Sequence, residues 1–148
     1  MSVFSEYQTD TIDLALDFYG YEDCPKNYEF GPSVRDNFVL HFVTKGKGVF
    51  HFEKKEIHLE AGDLFLLPKN KVTYYQADAE EPWSYYWIGI SGTKVSDFMR
   101  FSTLHAKGYL KKTEVDTERI GLFMEQLVHK AEASKMTSHY QLHLLSQI

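Results

Sequence analysis

The feature that most limits how this chain folds is a change of hydrophobic period near residue 91. Before it, apolar residues come in short runs broken by turn signals at Tyr19-Gly20, Cys24-Pro25, Gly31-Pro32, Gly46-Lys47-Gly48, Ala61-Gly62-Asp63 and Glu81-Pro82. Short strands at this spacing build a sandwich or barrel. VLHFV (39–43) and GVFHF (48–52) flank TKGKG, which reads as a hairpin whose glycines accept positive φ. EIHLE (56–60) alternates, with Ile57 and Leu59 on one face, whereas LFLLP (64–68) is a continuous apolar run, expected of a strand covered on both sides. VTYYQA (72–77) and SYYWIGI (84–90) complete the set.

After Ser91-Gly92 the period becomes helical. KVSDFMRFSTL (94–104) sets Val95, Phe98, Met99 and Leu104 near one side. Asp116 or Thr117 can cap a second helix, in which Ile120, Phe123, Met124, Leu127 and Val128 recur at three- and four-residue steps. A third helix starts near Ser138 and carries Leu142, Leu144, Leu145 and Ile148. It is still running at the last residue, with no Gly or Pro exit, as in a chain cut from something longer. The expected layout is mainly β with C-terminal α: a barrel with an N-terminal arm (1–17) over residues 1–92, then two to three helices over 93–148.

A length of 148 residues suits one domain with its own core. The aromatic share of 16% is high, as in a large β core or a pocket lined by ring faces. Net charge is −5 and no basic run exceeds Lys111-Lys112, which argues against nucleic-acid binding by this segment. The single cysteine, Cys24, rules out an intrachain disulfide and a cysteine metal cluster. MSVFSEYQTD lacks the basic and apolar regions of a signal peptide. No apolar run approaches the ~20 residues a membrane helix needs, so a cytoplasmic protein without a membrane partner is expected.

Three stretches, GPSVRDNFVLHFVTKGKGVF, AGDLFLLPKNKVTYYQAD and EEPWSYYWIGISG, share order and spacing with one family. The G-x-G turn, the G-D turn, the strand-closing Pro68 and P-W-x-x-x-W before Gly89 resemble the N-terminal sensing and dimerisation domain of AraC-type transcriptional regulators, particularly those controlling sugar uptake in Firmicutes. The resemblance covers residues 18 to 92 by motif and the following two helices by layout. It implies a cupin-like (double-stranded β-helix, jelly-roll) barrel with an effector pocket; a sugar effector and no cofactor are expected. It also implies a homodimer, assigned to helices 116–134 and 138–148, whose apolar faces exceed what one small barrel needs. DNA contact would fall to a C-terminal helix-turn-helix domain absent from these residues.

Metal-binding cupins supply an H-x-H pair, a Glu and a final His; the matching positions here are Pro32, Val34, Val39 and Thr73, none of them a competent ligand. The rival reading, a metal-dependent cupin enzyme such as a sugar isomerase or dioxygenase, would need a new site made from His41, His51 and His58. His58 sits between Glu56 and Glu60 on a polar face, and His51 faces away from Phe50 and Phe52. His41 shares the inward parity of Val39, either as a satisfied core residue or as a neutral imidazole against a ligand. There is no G-x-S-x-G elbow, no phosphate loop and no base beside Cys24, so no catalytic residues are assigned and no enzyme is expected.

Sugars are held by an aromatic face while planar polar groups read the hydroxyls. Tyr85, Trp87 and Gly89 share one face of SYYWIGI, and Tyr75 shares the inward parity of Thr73. In an arabinose-sensing member of the family the matching strand positions contact the sugar, with the tryptophan as stacking platform. Position by position, that nominates Tyr75, Tyr85 and Trp87. Tyr85 replaces a histidine found there, so the same sugar is not implied. Arg35 offers paired donors suited to vicinal hydroxyls or an anion, or a salt bridge with a nearby carboxylate. Trp83, following Pro82, is read as closing the rim. Core packing stands as the alternative for both tryptophans.

Overall fold

Strands that are apolar on both sides need covering on both sides, and that requirement organises this chain. The computed structural model describes residues 2–6 and 14–134. In chain order it has β1 (Ser2–Glu6), β2 (Ala15–Asp23), β3 (Glu29–Ser33), β4 (Phe38–Lys45), β5 (Lys47–Phe52), β6 (Lys55–Glu60), β7 (Leu64–Leu67), β8 (Thr73–Ala77) and β9 (Ser84–Ser91). Then follow α1 (Thr93–Arg100), α2 (Thr103–Lys107), β10 (Tyr109–Leu110) and α3 (Glu118–Ser134). The strands form two antiparallel sheets, ordered β1-β2-β9-β4-β7-β10 and β3-β8-β5-β6, in a cupin-like barrel.

β4, β7 and β9 run through the middle of the larger sheet. Their inward residues, including Val39, Val43, Phe65, Leu67 and Tyr85, meet Phe50, Phe52, Leu59 and Tyr75 of the smaller sheet. Their outward residues, including Leu40, Leu64, Leu66, Tyr86 and Ile88, meet Val95 and Met99 of α1 and Met124, Leu127, Val128 and Ala131 of α3. The unbroken LFLL run therefore splits residue by residue between two cores, as period-2 geometry requires. Each fully buried aliphatic side chain in these layers stabilises the fold by roughly 1.5–3 kcal/mol.

Several expectations change. TKGKG is not a hairpin: β4 pairs with β7 and β9, while β5 pairs with β6 and β8, so the turn carries the chain from one sheet to the other. Gly46 makes that corner at φ 73°, and a Cβ there would lie 2.3 Å from the Pro82 carbonyl oxygen. The tight hairpin comes one strand later, where Glu53 (φ 49°) and Lys54 (φ 65°) join β5 to β6 in the left-handed conformation favoured by two-residue turns. Residues 94–104 do not form one helix. Ser102 leaves the helical region and its side chain accepts the His105 N–H, starting α2, so Phe98 ends 73% exposed while Val95 and Met99 are buried. Tyr109–Leu110 interrupts the helical segment with a strand paired to β7.

The α3 face reserved for a partner is largely used within the chain. Met124, Leu127 and Val128 are buried against the sheet, and Phe42 packs on Gly121. The polar rim of α3 is tied down too: Tyr86 Oη lies 2.7 Å from His129 Nε2, and Tyr19 donates to Glu132 at 2.9 Å. Thr117, an expected cap, stands at the N-cap position of α3, its carbonyl accepting the Gly121 N–H, and its hydroxyl donates to the Gly62 carbonyl. Within the stretch expected as an arm, Ser2–Glu6 pairs antiparallel with β2 and residues 15–17 already belong to β2. The helix expected from Ser138 lies outside the described residues.

Candidate functional site

The barrel interior is filled at one end and holds a cavity at the other. Trp83, 0% exposed, stacks on Phe65 (centroids 5.2 Å apart, 15° between planes), and Phe65 stacks on His41 (4.3 Å, 9°). Trp83 is therefore the base of a three-ring plug rather than a rim residue. Gly48 makes the space, since a Cβ there would lie 2.5 Å from the indole ring. Sequence periodicity could not reveal this, because the plug depends on how β5 and β9 meet across the two sheets.

Above the plug lies a cavity of about 370 Å³, lined by residues of β2, β3, β4, β7, β8 and β9 and by Tyr28 and Arg35 in the connecting loops. Arg35, His41, Tyr75, Tyr85 and Trp87 all belong to this lining. Strand pairing explains the convergence: His41 lies opposite Trp87 in the β4–β9 ladder, and Tyr75 opposite Phe30 in the β3–β8 ladder. His51 and His58 are elsewhere. His51 packs beside Tyr74 on the outer face of the smaller sheet, and His58 is exposed, 3.2 Å from Glu56. Among the described residues, no three His, Cys, Asp or Glu side chains come together in a way that would hold a metal ion.

The floor is buried and lined by uncharged side chains. Val39, His41, Leu67, Tyr75 and Tyr85 are each 5% exposed or less. Burial pulls His41 down from 6.5 to about 3, so its imidazole is neutral, and Nδ1 has no hydrogen-bond partner among the described residues. Burial pushes the Tyr75 and Tyr85 hydroxyls well above the usual phenol range. The Cys24 thiol, beside Tyr85, is pushed up to about 11 by the same cause.

The rim differs. Phe18, Glu22, Tyr28, Phe30, Arg35 and Trp87 are half-buried there. The salt bridge considered for Arg35 is not formed with any described carboxylate. Its guanidinium instead lies between two ring faces, 5.3 Å from the Phe18 centroid and 5.4 Å from that of Phe30. Phe18 can lie there because it sits opposite Gly89, where a Cβ would come 2.3 Å from its ring. Gly20 lies opposite Trp87 in the same ladder, and Glu22 opposite Tyr85. Phe18, Glu22, Tyr28, Phe30 and Leu67 were missed by the sequence reading. The Phe18-Gly20-Glu22 alternation was a usable signal, but a bulge between Leu16 and Phe18 shifts the register and obscures it.

The family model described as the AraC-like ligand binding domain matches residues 15–146. The chain belongs to this family. Among curated relatives of this AraC-type domain, the Msm operon regulatory protein of Streptococcus mutans is 44% identical over 109 residues, covering 74% of this chain and 39% of that protein. The raffinose operon transcriptional regulatory protein RafR of Pediococcus pentosaceus is 41% identical over 100 residues, covering 66% of this chain and 36% of that protein. The matched part thus spans little more than a third of either relative. The protein YhaK from Escherichia coli, with a TM-score of 0.54 and 14% identity over 62% of this chain and 45% of YhaK, shares the fold alone.

Proposed function

We propose that this AraC-type domain senses a sugar in its barrel and controls transcription through a DNA-binding domain outside these 148 residues, without enzymatic activity of its own. The observation carrying the reading is the meeting of Arg35, His41, Tyr75, Tyr85 and Trp87 around one aromatic cavity. Trp87 supplies the stacking face, Tyr75, Tyr85 and His41 supply hydroxyl and imidazole groups, and Arg35 supplies fixed paired donors. The name of the relative RafR supports a sugar, since it regulates a raffinose operon. The strand positions at which metal-binding cupins hold their ion carry Pro32, Val34, Val39 and Thr73 here, which offer no suitable donor set.

Switching requires the sugar to bind two states unequally. β2 is suited to this, because it bears Phe18 and Glu22 on the cavity side, Tyr19 against α3, and β1 along its free edge. The domain works as a cytoplasmic homodimer through its C-terminal helical segment. With the α3 core face occupied, exposed Phe98, Phe101 and Leu122 remain for the partner subunit. Among the described residues no helix is long and apolar enough to cross a membrane.

A thermal-shift panel of raffinose, melibiose, lactose, sucrose and their component monosaccharides tests the reading, because a ligand that binds the folded state raises its midpoint. A rise with at least one sugar, lost in Trp87→Ala, is expected. No shift with any sugar, or an undiminished shift in the variant, would refute it.

A further inference from the structure

The cavity carries two opposite charges, and they act on different walls. Arg35 lines it with no carboxylate within ion-pair distance among the described residues. Its neighbours are aromatic instead, the Phe18 and Phe30 rings at 5.3 and 5.4 Å. Ring faces engage the flat of a guanidinium and leave its in-plane N–H fork, the edge that pairs with a carboxylate or phosphate. His41 and Tyr75 are governed first by burial, and both also feel the positive charge of Arg35. Cys24 and Tyr28 are governed first by burial too, but they feel the negative charge of Glu22. The cavity is therefore polarised, positive toward His41 and Tyr75 and negative toward Cys24 and Tyr28.

The hydrogen-bonding groups are biased the same way. Beside Arg35 the lining has three phenol hydroxyls, on Tyr28, Tyr75 and Tyr85, which burial keeps protonated and so able to donate. It has one carboxylate, Glu22. A neutral sugar offers hydroxyls that both donate and accept, and leaves the guanidinium charge uncompensated. A carboxylate or phosphate offers oxygens that only accept, and its charge meets that of Arg35 where water screens it less than in bulk.

We infer that the preferred effector is an acidic sugar, its carboxylate or phosphate paired with the Arg35 guanidinium on the His41–Tyr75 side and its hydroxyls reaching the Glu22 side. This rests on the sugar-sensing reading above and narrows it to a charged class, the neutral parents binding the same cavity more weakly. The pairing is charge-assisted, with two guanidinium N–H groups donating to two oxygens of the anion. Such a sensor responds to the charged derivative of a sugar in preference to the sugar itself.

Titration calorimetry at pH 7 on the 148-residue chain tests this with galactose and glucose, each beside its uronate and its 6-phosphate, and with inorganic phosphate as the bare anion. At least one acidic sugar is expected to bind about tenfold tighter than its neutral parent, and tighter than inorganic phosphate. The uronate and 6-phosphate arms show which anion the cavity takes. Arg35→Gln keeps N–H donors but removes the charge, and should shrink the preference to about twofold, while Arg35→Lys should retain part of it. Neutral sugars binding as tightly as both acidic derivatives would overturn the inference while leaving the sugar reading intact, and so would a preference undiminished in Arg35→Gln. Inorganic phosphate binding as tightly as the acidic sugar would mark an adventitious ion only and would overturn it as well. Absence of binding by every sugar, neutral or acidic, would overturn both readings. The comparison of sugars uses the unaltered protein, so it decides the matter even where a variant fails to fold.

Discussion

Acidification should destabilise this domain through His41 in a way that can be isolated. The folded-state value is about 3 against 6.5 for an ordinary histidine, because burial disfavours the imidazolium. Between those values the unfolded chain binds a proton that the folded chain does not, so stability rises with pH across that window. His41 thus costs nothing above pH 6.5 and increasingly destabilises the fold as pH falls toward 3. At about 1.36 kcal/mol per pH unit, the loss reaches on the order of 3 kcal/mol by pH 4. That is a large share of a net stability of roughly 5–15 kcal/mol. The assay is urea unfolding followed by tryptophan fluorescence at pH 7, 5.5 and 4, for the wild type and for His41→Phe. The wild type should lose about 3 kcal/mol more than the variant between pH 7 and 4, since the remaining titratable groups are common to both. Parallel pH profiles would refute the reasoning, and would mean that His41 takes up a proton in the folded state, through access to water or to an unrecognised partner.

Other parts of the fold make separate demands. Trp83→Ala removes the base of the ring plug and should cost about 3–5 kcal/mol in chemical unfolding, with the cavity residues themselves unchanged. Gly46→Ala should lower stability by more than the roughly 1 kcal/mol of a tolerated glycine change, because the corner combines φ 73° with a backbone oxygen 2.3 Å from the new Cβ; differential scanning calorimetry reads this directly. Cys24, 7% exposed and with its thiol raised to about 11, should resist Ellman's reagent at pH 8 in the folded protein and react promptly in urea.

How much of this was legible beforehand depended on the distance over which each feature is determined. The strand register within SYYWIGI gave Tyr85 and Trp87 a common face, and Val39 and His41 a common inward parity, because alternation is a property of adjacent residues. LFLL announced a strand covered twice, and the helical period beyond Ser91 announced the layer that covers it. The TKGKG error has the same origin. Two apolar runs around a glycine turn look alike whether the strands pair with each other or part to different sheets, and only their partners β9 and β5–β6 decide. Arg35 was recognised as a cation with open donors, but its setting between Phe18 and Phe30 depends on the β2–β9 ladder and on Gly89.

Taken by itself, the sequence determined the periodicities and the change from strand to helix, which are local properties; the lack of metal-ligand residue types at the cupin positions and the choice of site side chains came from its resemblance to the AraC-type family. Tertiary structure alone decided that Trp83, just before β9, would be buried beneath Phe65 and His41 while Trp87, four residues on and within β9, faced the cavity. It also decided that the apolar face of α3 would be used on the chain's own sheet. Both outcomes follow from close packing between elements far apart in sequence, where the shape left by one side chain, or by a missing Cβ, determines which neighbour fills it.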